Sequence, residues 1–318
     1  MKKRLVWGSY AARRILDEKL HIKTGKGKCA GRVVLDADEA SDRIRDHLNS
    51  KEPFMAGRLG LFETAVMRMY EFEISKKYAL TMDNLYNCAG FFPNDINLGG
   101  RFNEVMKDAL KQTDVFARNT QFLEDYFIAK YLPGDSSICR NFGVFDVFDL
   151  KDPWSSALAG RKVLVVSPFT ESISAQYARR ELLFKGTDIL PEFELKTYRS
   201  LLTVGDLRDD RFSDWFEALD HMKREILEMD FDVALLGCGA YGFPLAAEIK
   251  KSGRQAIHMG GVLQILFGVM GKRWDGSRFG GIDKMPEGLK RYYNDAWIYP
   301  LEGKPKEAGK VEYGPYWN

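Results

Sequence analysis

Residues 231–242 read Phe231-Asp232-Val233-Ala234-Leu235-Leu236-Gly237-Cys238-Gly239-Ala240-Tyr241-Gly242. An apolar run without alternation ends in three glycines, and Phe243 to Lys251 then carries helical spacing. A strand, a glycine turn and a helix are the first half of a βαβ unit, and a non-alternating strand belongs to a sheet covered on both faces. The pattern repeats on either side. Downstream, Ala256-Ile257-His258-Met259 is a short strand closed by Gly260-Gly261, with a helix through Leu263, Leu266 and Phe267. Upstream, Lys162-Val163-Leu164-Val165-Val166 is a strand ending in Ser167-Pro168-Phe169, and a helix follows through Ile173, Tyr177 and Leu182. Phe193 to Tyr198 reads as a strand and Trp215 to Met229 as a helix. Further upstream, Phe54-Met55-Ala56 reads as a buried strand before Gly57-Arg58-Leu59-Gly60, with a helix from about Thr64. Residues 85–150 mix helical patterns with Gly/Pro/Asn loops. The expected fold is α/β and Rossmann-like, with a mostly parallel sheet carrying helices on both faces over residues 51–318. Residues 1–50 are expected to form a helical N-terminal extension, and the tail from Asp275, with Trp297, Tyr313, Tyr316 and Trp317, an aromatic wrap.

Composition narrows the function classes. The 318 residues are 45% apolar and 29% charged, which excludes a disordered chain, a collagen-like repeat and a small disulfide scaffold. Lysine plus arginine is 47 against 45 acids, a net +2, which gives no whole-protein footprint for nucleic acid. Cys29, Cys88, Cys139 and Cys238 form no Cys-x-x-Cys pair, and reduced thiols in a cytosolic protein are expected. The basic start has no apolar stretch of a signal peptide, and no apolar run reaches the ~18 residues of a membrane helix. A soluble cytoplasmic protein is expected, with peripheral contact to a membrane surface left open.

Candidate site residues cluster where strands end, since open α/β sheets bind ligands at the carboxyl ends of their strands. Gly237, Gly239, Ala240, Tyr241 and Gly242 fit Gly-x-Gly-x-x-Gly, which suits either a phosphate on backbone amides or tight packing. A dinucleotide dehydrogenase would show an acid about 20 residues on, to hold the ribose. The next strand instead ends in Ile257-His258-Met259-Gly260, so hydride transfer is disfavoured. His258 is a general base, a phosphate contact or a structural histidine. Ser167 and Ser172 suit hydrogen bonds to a phosphate or sugar, or, for Ser172, a helix cap. Arg58 suits a bidentate diphosphate contact. Glu63 is a metal ligand, a base or a residue favouring its helix N-terminus. Lys272-Arg273-Trp274 offers two cations beside an aromatic, or a solvated loop pair, and Asn87 opens Asn87-Cys88-Ala89-Gly90-Phe91-Phe92-Pro93, an aromatic wall or core. There is no His-Glu-x-x-His, Gly-x-Ser-x-Gly or Walker A motif.

Several blocks resemble one family. They are Pro153-Trp154 with Ala157 to Phe169, Ile173, Gln176-Tyr177, Arg180 and Ile189-Leu190-Pro191. Gly237 to Ala247, Ala256 to Gly261, Gln264 to Gly268, Gly271-Lys272-Arg273-Trp274, Asn294, Trp297, Pro300 and Tyr316-Trp317 continue the likeness. Over roughly residues 50–318 the chain is similar to the bacterial GT-D-fold glycosyltransferase-like proteins of surface-polysaccharide biosynthesis, capsule and O-antigen included. The resemblance implies a nucleotide-sugar donor, often UDP-linked, and a glycan or lipid-linked acceptor. Founding members carry Arg-Phe-Gly-Asp-Gly-Glu, whose Asp-x-Glu holds a divalent Mn²⁺ or Mg²⁺. Here the stretch is Arg58-Leu59-Gly60-Leu61-Phe62-Glu63, so Leu61 replaces the aspartate and Glu63 is the only candidate ligand left. One carboxylate is a poor site for a hard cation. The expected roles are diphosphate binding by the Gly237–Gly242 loop with Arg58, Gly60 and Lys272 or Arg273, and base chemistry by Glu63 or His258. Asn87, Ser167, Ser172, Gly260, Gly261 and Gln264 are the expected substrate contacts. A non-catalytic nucleotide-sugar-binding or scaffold protein is the alternative.

Overall fold

The computed structural model describes residues 5, 6, 8–10, 12, 27–277, 281–310, 314, 316 and 317. Its centre is a nine-stranded sheet in the order β1-β2-β5-β4-β3-β9-β8-β6-β7. The strands are β1 (Lys28–Cys29), β2 (Arg32–Leu35), β3 (Phe54–Gly57), β4 (Val115–Arg118), β5 (Ser137–Arg140), β6 (Lys162–Ser167), β7 (Glu194–Arg199), β8 (Val233–Leu236) and β9 (Gln255–His258). Among the described residues β1 and β2 pair antiparallel and the other pairings between these strands are parallel.

The apolar strands behave as expected. Val163 and Val165 face one core while Leu164 and Val166 face the other, and all four are buried. One face is covered by helices α2 (Leu61–Glu71), α3 (Tyr78–Ala89), α4 (Gly99–Leu110), α5 (Glu124–Tyr131), α7 (Trp215–Glu228) and α8 (Gly242–Lys251). The opposite face carries α1 (Ala37–Ser50), α6 (Thr170–Tyr177), α9 (Val262–Leu266) and the buried tail residues Trp297 and Trp317. The aromatic tail is therefore a wrap on the sheet's second face. Helix starts follow local chemistry. Asp36 caps α1 by accepting from the Glu39 amide at 2.9 Å, while Glu39 accepts from the Asp36 amide at 3.0 Å, a capping box. Asp214 caps α7 through the Glu217 amide at 2.8 Å.

The structure corrects the expected N-terminal helical segment. The helix is present from Ala37, but Lys28–Cys29 and Arg32–Leu35 are strands, and β2 joins the sheet beside β5. β2 is only four residues long, begins with an arginine and carries no long apolar run. Most of residues 1–26, and Tyr313 of the tail, lie outside the described residues. Among the described residues no helix is long and apolar enough to cross a membrane.

The connections position the site. The chain leaves β6 through α6 on one face and leaves β7 toward α7 on the other. β6 and β7 are neighbours, so their outgoing connections part and open a crevice at their carboxyl ends.

Candidate functional site

The glycine turn after β8 is closely packed. A methyl group on Gly237 would stand 2.7 Å from the Gly260 carbonyl oxygen and 2.9 Å from Leu263. Gly239 has φ +58, and a methyl there would lie 2.8 Å from the Ala89 carbonyl oxygen. A methyl on Gly242 would enter the His258 imidazole. Close packing thus accounts for all three glycines. Ala240 and Tyr241 are buried. The Tyr241 ring stacks on Trp215 at 5.2 Å, and its hydroxyl pairs with Thr203 Oγ1 at 2.9 Å. Burial pushes the Cys238 thiol up to about 12, so it is no nucleophile at neutral pH.

Arg58, Gly60, Glu63, His258 and Gly260 meet where β3 and β9 end. The Arg58 guanidinium lies over Gly260, whose φ is +66; a side chain there would displace it. His258 packs against Gly57, Gly242 and Phe243, with its Nδ1 buried and unpartnered. Burial, then the Arg58 charge, bring the imidazole down to about 3. It is neutral at pH 7 and a weak proton acceptor. The Glu63 carboxylate folds back on Gly60 at the N-terminus of α2, in the manner expected of an acid favouring a helix start. Leu61 is 59% exposed. Among the described residues no three His, Cys, Asp or Glu side chains are grouped to hold a metal ion. The residues present do not fit the Asp-x-Glu metal site of the proteins that the sequence resembles, because leucine offers no ligand and Glu63 is turned onto its own helix.

The remaining candidates fall around the tail. The Tyr316 ring covers Gly261. Gln264 is buried and donates to the carbonyls of Met270 at 2.8 Å and Tyr316 at 2.9 Å. Arg273 stacks over Tyr316 and Trp274, and the Lys272 amide donates to the Trp317 carbonyl at 3.0 Å. Ser167 is buried, and its hydroxyl accepts from the Phe169 amide at 3.2 Å. Ser172 lies inside the first turn of α6, not at its cap, which is Phe169. Its hydroxyl donates to Glu302. Asn87 Nδ2 donates to the Asp83 carbonyl at 2.9 Å, within α3. Phe91 and Phe92 are core residues; Phe91 packs on Phe102, Trp215 and Phe216.

The open volume lies beside these groups, at the β6–β7 crevice. A cavity of about 350 Å³ is lined by Pro168 and Phe169 after β6, by Arg199 to Thr203 and Arg208, Asp209 and Arg211 after β7, and by Glu302, Gly303, Pro305 and Trp317 of the tail. That is the size of a small-molecule site. Neither Arg58 nor Tyr241 is among its lining residues, although Thr203 joins the cavity to Tyr241. The cations divide by partner. Arg211 is paired with Asp209 at 2.6 and 2.8 Å. Arg208 donates to the carbonyls of Gly205 at 2.6 Å and Leu207 at 2.7 Å, and stacks over Tyr86 at 4.5 Å. Arg199 is exposed at the end of β7 and makes no ion pair among the described residues. Arg199 and Arg208 therefore retain unneutralised charge toward the cavity. Sequence reading missed both arginines and Glu302. Arg199 was accessible in principle, as the last residue of a recognisable strand. Glu302 carries no local signal.

No family model matches the sequence, and no curated protein does. Two solved structures of domain of unknown function 1792, one the selenomethionine form and one described as having a distinct glycosyltransferase fold, align with a TM-score of 0.40 and 13% identity. Each alignment covers 87% of this chain and 93% of the other.

Proposed function

We propose that this chain is a glycosyltransferase that takes a sugar from a nucleotide-sugar donor, UDP-linked in the first instance, and passes it to a glycan or lipid-linked acceptor in surface-polysaccharide biosynthesis. One observation carries the reading: a cavity at the divergence of β6 and β7 that combines cations with aromatic and apolar walls. Sugar transfer requires stabilising a departing nucleoside diphosphate. Arg199 and Arg208 supply the positive charge, and Phe169 and Trp317 supply surface for a base or sugar. At about 4.8 Å per strand, β3 lies roughly 14 Å from β6. An extended donor thus runs from the arginines along the carboxyl edge toward Arg58, Glu63 and His258. Of the two candidate bases, Glu63 is favoured, because burial and then the Arg58 charge leave the His258 imidazole too weak a proton acceptor.

Calorimetry and donor hydrolysis with UDP-, GDP-, CMP- and dTDP-sugars, with and without EDTA, test this. One UDP-sugar should bind and turn over, and EDTA should leave binding unchanged. No binding across the panel would discard the proposal. Glu63→Gln should lower turnover by about 10²–10⁴-fold with donor affinity preserved; full turnover would remove Glu63 as the base.

The position of Leu61 and the folded-back Glu63 favour one further reading, a non-catalytic nucleotide-sugar-binding or scaffold protein. It predicts donor binding with neither hydrolysis nor transfer.

A further inference from the structure

The tail segment that forms one wall of the cavity is pinned to α6 through the Glu302 carboxylate. Glu302 Oε1 accepts from the amides of Glu171 at 2.7 Å and Ser172 at 3.1 Å, and Oε2 accepts from the Ser172 hydroxyl. That hydroxyl in turn accepts from the Leu301 amide at 2.8 Å. The segment is anchored on both sides. Ile298 is tied to Gly268 and Met270 by backbone hydrogen bonds, and Ala308 and Trp317 are buried. Between these anchors little is buried: Leu301 is 53% exposed, and Gly303 and Lys304 are exposed. The polar contacts of Glu302 and of the Leu301 amide therefore tie this exposed stretch to α6.

That contact places a negative charge in the wall of a cavity whose other free charges are Arg199 and Arg208. Helix N-termini favour anions, so the carboxylate is well held while the cavity is empty. A phosphate-bearing ligand that enters to meet the arginines meets Glu302 as a like charge.

We propose that residues 301–305 are an autoinhibitory strap, latched by Glu302 on the first turn of α6, that opposes entry of diphosphate ligands and lifts when one binds. This regulation rests on the functional reading given above, because it concerns the same cavity.

The experiment uses the full chain and Glu302→Gln, which keeps a side-chain oxygen to accept from the amides and removes the charge. Inorganic pyrophosphate and UDP are titrated separately by calorimetry, and hydrogen exchange is followed at 171–172 and 301–304. The variant should bind pyrophosphate about two- to fivefold tighter at low salt, and the gain should shrink as salt screens the charge. Exchange should rise at those amides in Glu302→Gln, and in the wild type on adding pyrophosphate. Equal or weaker pyrophosphate binding by the variant would overturn the strap, as would absence of binding to both proteins or exchange unchanged by ligand. Pyrophosphate binding that shows the latch effect, with no UDP binding, would leave the strap standing and sink the nucleotide-sugar reading instead.

Discussion

Replacing Glu71 with alanine is expected to cost about 3–5 kcal/mol of stability, the usual penalty for leaving a buried ion without its partner. Glu71 ends α2 and is almost fully buried. Its carboxylate accepts from Lys130 Nζ at 2.8 Å, Tyr126 at 2.8 Å, Tyr131 at 3.0 Å, Lys107 Nζ at 3.2 Å and Asn103 at 3.4 Å. The cluster ties α2 to α4 and α5. Without it the Lys107 ammonium, also buried, keeps only the exposed Glu104 at 2.6 Å. Burial alone would raise the Glu71 carboxyl above its ordinary 4.5. The hydrogen bonds from Lys130, Tyr126 and Tyr131 and the Lys107 charge outweigh burial and hold it at about 2. A depressed carboxyl contributes stability that is present above its unfolded value near 4.5 and is lost as pH falls toward about 2. Urea unfolding of wild type, Glu71→Ala and Glu71→Gln at intervals from pH 7 to pH 2 checks both statements. The stability gap should be largest at neutral pH and close on acidification; a gap independent of pH would show that packing, not charge, is what the glutamate contributes.

The half of the sheet that was legible is the half whose strands are uninterrupted apolar runs closed by turn residues. Lys162–Ser167 and Val233–Leu236 are buried on both faces, and no other element type fits such runs beside glycine turns. β4 and β5 were hidden because each ends in arginine and no glycine turn directly follows it, as Val115-Phe116-Ala117-Arg118 and Ser137-Ile138-Cys139-Arg140. Their strand character comes from pairing with each other and, for β4, with β3, which no local pattern records. The carboxyl edge was likewise legible as the place for a cavity, since it follows from parallel topology alone. Which residues line open space there was not. Gly237 owes its smallness to Leu263 and the Gly260 carbonyl, and Ser172 meets a glutamate 130 residues away. Local sequence could not separate a glycine that admits phosphate from one that admits a neighbouring backbone.

The double variant Arg199→Ala, Arg208→Gln is expected to weaken binding of the UDP-sugar by about 10²–10⁴-fold. A charged hydrogen bond to a ligand is worth roughly 1.5–3 kcal/mol, and two independent ones add to about 3–6 kcal/mol. The two positions are not equivalent. Arg199 is exposed and makes no ion pair among the described residues, so its removal should leave the fold untouched. Arg208 also fastens its loop, through the carbonyls of Gly205 and Leu207 and the face of Tyr86. Glutamine keeps an amide donor for those carbonyls while removing the charge, which is why it is preferred to alanine there. Thermal unfolding monitors whether the loop survives. The loop has other ties, Thr203 to the Gly90 carbonyl and the Gly205 amide to the Tyr86 carbonyl, so a shift of only a few degrees is expected. Each single variant should lose about 10–100-fold in affinity, and the loss should diminish at high salt, where screening already weakens the wild-type contact. Retention of wild-type affinity by the double variant, with its melting temperature unchanged, would remove the diphosphate from the β6–β7 cavity and return the question to Arg58 at the end of β3.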